Sequence, residues 1–66
     1  MNYQNYIISD HRIMLGKPII KGTRLTVELI LRKLGEGASE NDLLSAYPQL
    51  TKQAIQAIMQ YAVVNW

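Results

Sequence analysis

The sequence predicts a mostly α-helical fold, a three-helix helix-turn-helix bundle preceded by a short β-ribbon. Three observations predict it. Two β-prone runs, Tyr6-Ile7-Ile8-Ser9 and Pro18-Ile19-Ile20, lie in the first 25 residues. Three later stretches repeat apolar residues at helical spacing, each behind a threonine or serine suited to capping a helix. Between the last two stretches stands Tyr47-Pro48-Gln49-Leu50, a turn of the length that joins the helices of a helix-turn-helix unit. Residues 1–66 are read as one domain, with strands and a basic loop over 1–25 and the helical bundle over 26–66.

The elements follow in chain order. Tyr6-Ile7-Ile8-Ser9 combines β-branched and aromatic residues that suit a pleated surface, and Ser9-Asp10-His11 is turn chemistry. Arg12-Ile13-Met14-Leu15 is either a helical turn or a loop packing Ile13 and Leu15 inward. Gly16 and Pro18 break any helix there, because proline lacks the amide donor and biases its predecessor to extended geometry. Pro18-Ile19-Ile20 reads as a second strand and Lys21-Gly22-Thr23 as a turn. A lone two-stranded ribbon is marginal in water. The extended segments are therefore expected to lie on the helices or to pair with another chain.

Thr26 is the expected cap of the first helix, with Val27, Ile30, Leu31 and Leu34 on one face and the acid-first pair Glu28 and Arg32 outside. Gly35 is expected to stop it in left-handed geometry. Ser39 and Asp42 form a shortened capping box for the second helix, which shows Leu43, Leu44 and Tyr47 inward and ends near Ala46 ahead of Pro48. Thr51 caps the third helix. Ile55, Ile58, Met59 and Ala62 are expected to face inward, and Gln53, Gln56 and Gln60 outward with Lys52.

Composition narrows the function. A chain of 66 residues buries only about 60% of its unfolded surface and is marginal alone. It has no cysteine and one histidine, so neither a disulfide nor a thiolate metal site is available, and no metal or cofactor is expected. Oligomerisation is the remaining supplement, and the apolar Val63-Val64-Asn65-Trp66 points to a homodimer. No apolar run approaches the roughly 18 residues of a membrane span. The opening residues lack the layout of a signal peptide, so the expected location is the cytoplasm.

Net charge is +2, but residues 11–33 carry six cations against Glu28 alone, a balance of +5. Such asymmetry suits a phosphate-facing patch, and an ordinary solvated surface is the alternative. If the third helix enters a major groove, Thr51, Lys52, Gln53, Gln56 and Gln60 face DNA. Glutamine pairs bidentately with adenine, and lysine reaches guanine or phosphate. Arg12, Lys17, Lys21 and Arg24 then supply the phosphate contacts that dominate affinity. The alternative is that the glutamines only keep a surface helix soluble. Tyr3, Tyr6, Ile8, Ile19 and Trp66 are assigned to an interface, and Tyr47 and Tyr61 to the edge of the core.

Catalytic constellations are not found. Asp10-His11 lacks a nucleophile placed with it. Gly16 and Gly22 are separated by five residues, and Gly22 is not followed by Lys-Ser/Thr, so this is no phosphate-binding loop of the nucleotide-hydrolase kind. No enzymatic activity is expected.

The string Gly16-Lys17-Pro18-Ile19-Ile20-Lys21-Gly22-Thr23-Arg24-Leu25-Thr26-Val27 resembles domain-of-unknown-function family 433. So do Gly37-Ala38-Ser39-Glu40, Tyr47-Pro48-Gln49-Leu50-Thr51 and the segment from Ile55 to Ala62. The resemblance covers nearly all of the chain beyond Asn5, and its Gly-Lys-Pro-x-Ile-x-Gly-Thr-Arg string is its specific part. It implies a homeodomain-like, winged-helix-like fold and a bacterial or archaeal source. It further implies an antitoxin role of the VapB type beside a PIN-domain-like ribonuclease toxin. Many members have Asp-Pro before the motif and a second glycine next to Gly16; His11 and Leu15 stand in those places here. Physically the signature is mainly structural, with Thr23 bonding nearby backbone. Arg24 either pairs with a carboxylate such as Glu28 or a helix end, or contacts phosphate or a partner.

Overall fold

β1 (Ile7–Ile8) and β2 (Ile19–Ile20) pair antiparallel, with Ile7 opposite Ile20 and Ile8 opposite Ile19. This is seen in a computed structural model that describes residues 3–12 and 14–65. The second edge of β2 is occupied too. Ile19 pairs antiparallel with Thr26, the Ile20 amide donates to the Leu25 carbonyl at 2.8 Å, and the Val27 amide to Pro18 at 3.0 Å. The chain thus folds back on both sides of β2, which relieves the exposed-edge problem of a lone ribbon.

Alternation along two-residue strands divides the isoleucines. Ile7 and Ile20 join the core cluster, while Ile8 and Ile19 point to the other face. Ile19 is nonetheless 1% exposed, because the returning segment that ends at Thr26 runs alongside it. The expectation that Ile19 lies at an interface is therefore corrected: its side chain is spent inside its own chain. Tyr3 and Tyr6 are half-buried against the same core, and Tyr3 meets Tyr61 edge-on, ring centres 5.5 Å apart. Ile8 is half-buried, and Trp66 lies outside the described residues.

Three helices follow, α1 (Val27–Gly35), α2 (Glu40–Ala46) and α3 (Lys52–Asn65). Their starts are set by local hydrogen bonds. Thr26 Oγ1 accepts from the Leu29 amide and Thr51 Oγ1 from the Ala54 amide, both at 3.1 Å. At α2 the Ser39 hydroxyl accepts from the Asp42 amide at 3.0 Å, and the Asp42 carboxylate accepts from the Ser39 amide at 2.9 Å. The shorter aspartate completes the box after all. That amide bond, with the hydroxyl's help, holds the Asp42 carboxyl below the ordinary value of 3.8.

Helix α1 runs through the glycine expected to stop it. Gly35 is its last helical residue and the left-handed position is Gly37, at φ 101°. The Ala38 amide reaches the Lys33 carbonyl at 3.0 Å and the Gly37 amide reaches Leu34 at 3.1 Å. These two bonds define a Schellman ending, which requires the glycine two places beyond the one expected.

The core lies where the ribbon meets the helices: Ile20 from β2, Val27 and Ile30 from α1, Leu43 from α2, and Ile55 and Ile58 from α3. On α3 the buried set also contains Ala54 and Ala57, whereas Met59 is 43% exposed. The inner face is therefore centred on Ala54 and Ile58, and the inward placement of Met59 is corrected. The expected face of Ile55, Ile58, Met59 and Ala62 is thus rotated toward Ala54 and Ala57. Among the described residues, no helix is long and apolar enough to cross a membrane.

Leu15 sits in a short 3₁₀ turn (Met14–Gly16) at φ 58°, left-handed geometry that costs an L-residue roughly 1–2 kcal/mol. Its side chain is 92% exposed, so the reading that packs Leu15 inward is corrected; Ile13 lies outside the described residues. Leu15→Gly removes the penalty and forfeits no packing, against roughly 0.5–1 kcal/mol of added chain entropy. A thermal melt is expected to show it a few degrees more stable than the parent, and a lower melting point would show the backbone there to be unstrained.

Candidate nucleic-acid interface

Helix α3 begins where Pro48 and Gln49 turn the chain, closed by a hydrogen bond from the Leu50 amide to the Tyr47 carbonyl at 2.9 Å. Buried Leu50 anchors the turn from below. With Ala54, Ile55, Ala57 and Ile58 buried, Thr51, Lys52, Gln53 and Gln56 are left exposed at the helix start. These four expected residues form one surface. Gln60 does not join it. It is half-buried, its Oε1 enclosed without a hydrogen-bond partner, in the part of α3 against which the turn Tyr3–Asn5 packs. Seven residues on from Gln53 it keeps the same angular position, but tertiary contact closes it off.

The basic loop comes next to this surface through Arg24. Gly22, Thr23 and Arg24 line a cleft with Ile8, Ile19 and Gln49, and Gln49 belongs to the turn before α3. Thr23 shapes that loop, its hydroxyl donating to the Ile20 carbonyl at 2.9 Å and accepting from the Leu25 amide at 3.0 Å. Arg24 also lines a second cleft of about 260 Å³ with Lys17, Thr26, Glu28, Leu29 and Arg32. There Glu28 receives Arg32 at 3.1 Å and Lys17 at 3.9 Å. Among the described residues Arg24 makes no ion pair, so the anticipated partnership with Glu28 belongs to Arg32 and Lys17 instead.

Lys21 is exposed in the turn after β2 and is not among the residues lining either cleft. Arg12 is tied to Asp10, whose carboxylate accepts from the guanidinium at 3.0 and 3.2 Å and from the Arg12 amide; the guanidinium above all holds that carboxyl below its ordinary value. Sequence reasoning missed Gln49 and the part of Arg32 in the basic cleft. Gln49 gave a signal only as a polar residue inside the turn. Arg32 was visible as the partner of Glu28, but its nearness to Arg24 depends on the fold. Among the described residues no three histidine or carboxylate groups come together to hold a metal ion.

By architecture this is a small helix-turn-helix bundle carrying a β-ribbon and a basic loop on its amino-terminal side. Residues 7–62 match the family described as protein of unknown function (DUF433), and the chain belongs to that family. A crystal structure of a DUF433 member protein from Anabaena variabilis ATCC 29413 is similar to it at 31% identity, with a TM-score of 0.88. The match covers 94% of this chain and 61% of that one, so the chain spans under two thirds of that protein's length. No curated protein matches.

Proposed function

We propose that this protein is a small, non-enzymatic DNA-binding regulator, working as a homodimer and paired, as an antitoxin-like protein, with a nuclease toxin. The carrying observation is the exposed polar start of α3, Thr51, Lys52, Gln53 and Gln56, directly after the turn and on a helix whose opposite face is buried. This is the part of a recognition helix that reads base edges. Lys17, Lys21 and Arg24 supply phosphate contacts. The acids Glu40 and Asp42 stand in the first turn of α2, at its far end from the turn.

The test is binding to DNA from upstream of the protein's own gene, against scrambled DNA, across a salt series. Gln53→Ala with Gln56→Ala is expected to leave folding intact and to lower discrimination by about tenfold or more per glutamine. Unchanged discrimination would sink the assignment of α3 as the reading helix.

A second reading is a protein-interaction module without DNA contact, and one observation favours it. The last turns of α3 expose Met59, Val63 and Val64, with Val63 83% exposed. An apolar interface there changes little with salt, whereas counterion release makes DNA affinity fall steeply. Binding of a partner that survives high salt, with no retention of DNA at low salt, selects this second reading.

A further inference from the structure

Lys17 and Arg24 are seven positions apart in the sequence, yet both line one cleft. The cause is the pairing along the outer edge of β2, where Ile19 lies opposite Thr26. That register brings Lys17 beside Glu28, 3.9 Å from its carboxylate, and alternation puts Arg24, two residues before Thr26, on the same face. Arg32, one turn along α1 from Glu28, completes the set. Three cations face one carboxylate, leaving the cleft a surplus of two positive charges.

We propose that this cleft binds a phosphate group, with Glu28 as the internal counterion that the phosphate displaces from Arg32 and Lys17. Arg24 and Arg32 offer planar forks that match two oxygens of a phosphate, and Lys17 adds a point charge. Glu28 shows what an anion does there, since its two oxygens already take Arg32 at 3.1 Å and Lys17 at 3.9 Å. Arg24, without an ion pair among the described residues, is the donor left for the incoming anion. All these side chains are more than half exposed where they pair with Glu28, so exchange needs no change in the fold.

Arg24 also lines the cleft that contains Gln49 of the turn before α3, so the phosphate site runs on toward the reading helix. That continuity favours a phosphodiester of a nucleic-acid backbone over an isolated anion, and in this form the inference rests on the DNA-binding reading. It also gives the Gly-Lys-Pro-x-Ile-x-Gly-Thr-Arg segment a use: the segment brings two distant cations to one anion.

The experiment has two arms, both on the full chain, with folding checked by circular dichroism. In the first, inorganic phosphate is titrated at constant ionic strength while the arginine side-chain Nε–Hε signals are followed by NMR. Arg24 and Arg32 are expected to shift and Arg12 to stay still, and Glu28→Gln is expected to tighten the response roughly fivefold at low salt. In the second arm, Arg24→Ala and Arg32→Ala are each expected to lower the slope of log affinity for DNA against log salt by about 0.9.

A phosphate response confined to Arg24 and Arg32 upholds the site even where no DNA is bound, in which case the DNA reading alone fails. Several results overturn the site. One is a response no greater than that to chloride. Another is the absence of a phosphate response together with an unchanged DNA salt slope in both variants, which leaves the reading helix untouched. A third is a stronger response to a glutamate-rich peptide than to phosphate, which points to an acidic protein partner.

Discussion

Ile58→Ala is expected to lower the stability of this chain by about 2–5 kcal/mol. Ile58 is 0% exposed and belongs to the cluster that joins α3 to α1, α2 and the ribbon. Removing its outer carbons costs their transfer free energy and leaves a cavity that close-packed neighbours fill only in part. A domain of 66 residues holds on the order of 3–10 kcal/mol in total. The loss therefore consumes much of it, and the melting temperature should fall by on the order of 10–30 °C. Met59→Ala, at the next position but turned outward, is the control and is expected to cost less than about 1 kcal/mol. Equal losses at the two positions, measured by thermal melts, would overturn the rotation of α3 described above.

The second large effect is expected at Thr23. Its hydroxyl donates to Ile20 and accepts from Leu25, across the tight excursion that holds Arg24. Valine keeps the branched shape at Cβ but has neither function. Thr23→Val leaves the Leu25 amide without its partner in a half-buried place, which costs about 1–3 kcal/mol. Thr23→Ser retains the hydroxyl and should recover most of that. Urea titrations of the pair decide the matter, since equal midpoints for valine and serine would mean that the two hydrogen bonds add nothing. Loosening this loop also frees the Arg24 backbone, so Thr23→Val should weaken the phosphate response of Arg24 more than the serine variant does.

The helices were legible because their boundaries are written in local chemistry. Thr26, Ser39 and Thr51 cap them, and Pro48 ends α2 at Ala46 as expected from its missing amide. The strands were legible for the same reason, as short β-branched runs between turn residues. Legibility stopped where an answer depended on which side of an element another element covers. Gln60 repeats the angular position of Gln53, and only packing of the amino-terminal turn against α3 separates the two. Ile19 looked like a surface residue of a ribbon until the chain returned along its outer edge. For Leu15 the sequence left open a helical turn or an inward-packed loop, and the fold gives a short 3₁₀ turn whose left-handed backbone turns Leu15 to solvent.

The candidate site divides in the same way. The polar start of α3 was readable from the cap at Thr51 and the spacing of Gln53 and Gln56, since helix geometry alone places them together. The basic cleft was not. Counting charges showed an excess over residues 11–33 but could not say that Lys17, Arg24 and Arg32 meet around Glu28. The sequence by itself determined the order and type of the strands and helices and where the three helices begin, because caps, breakers and periodicity act over a few residues. Only the tertiary structure decided the rotation of α3, the burial of Ile19 and the convergence of the three cations, because each depends on contacts between residues the chain must fold back to bring together.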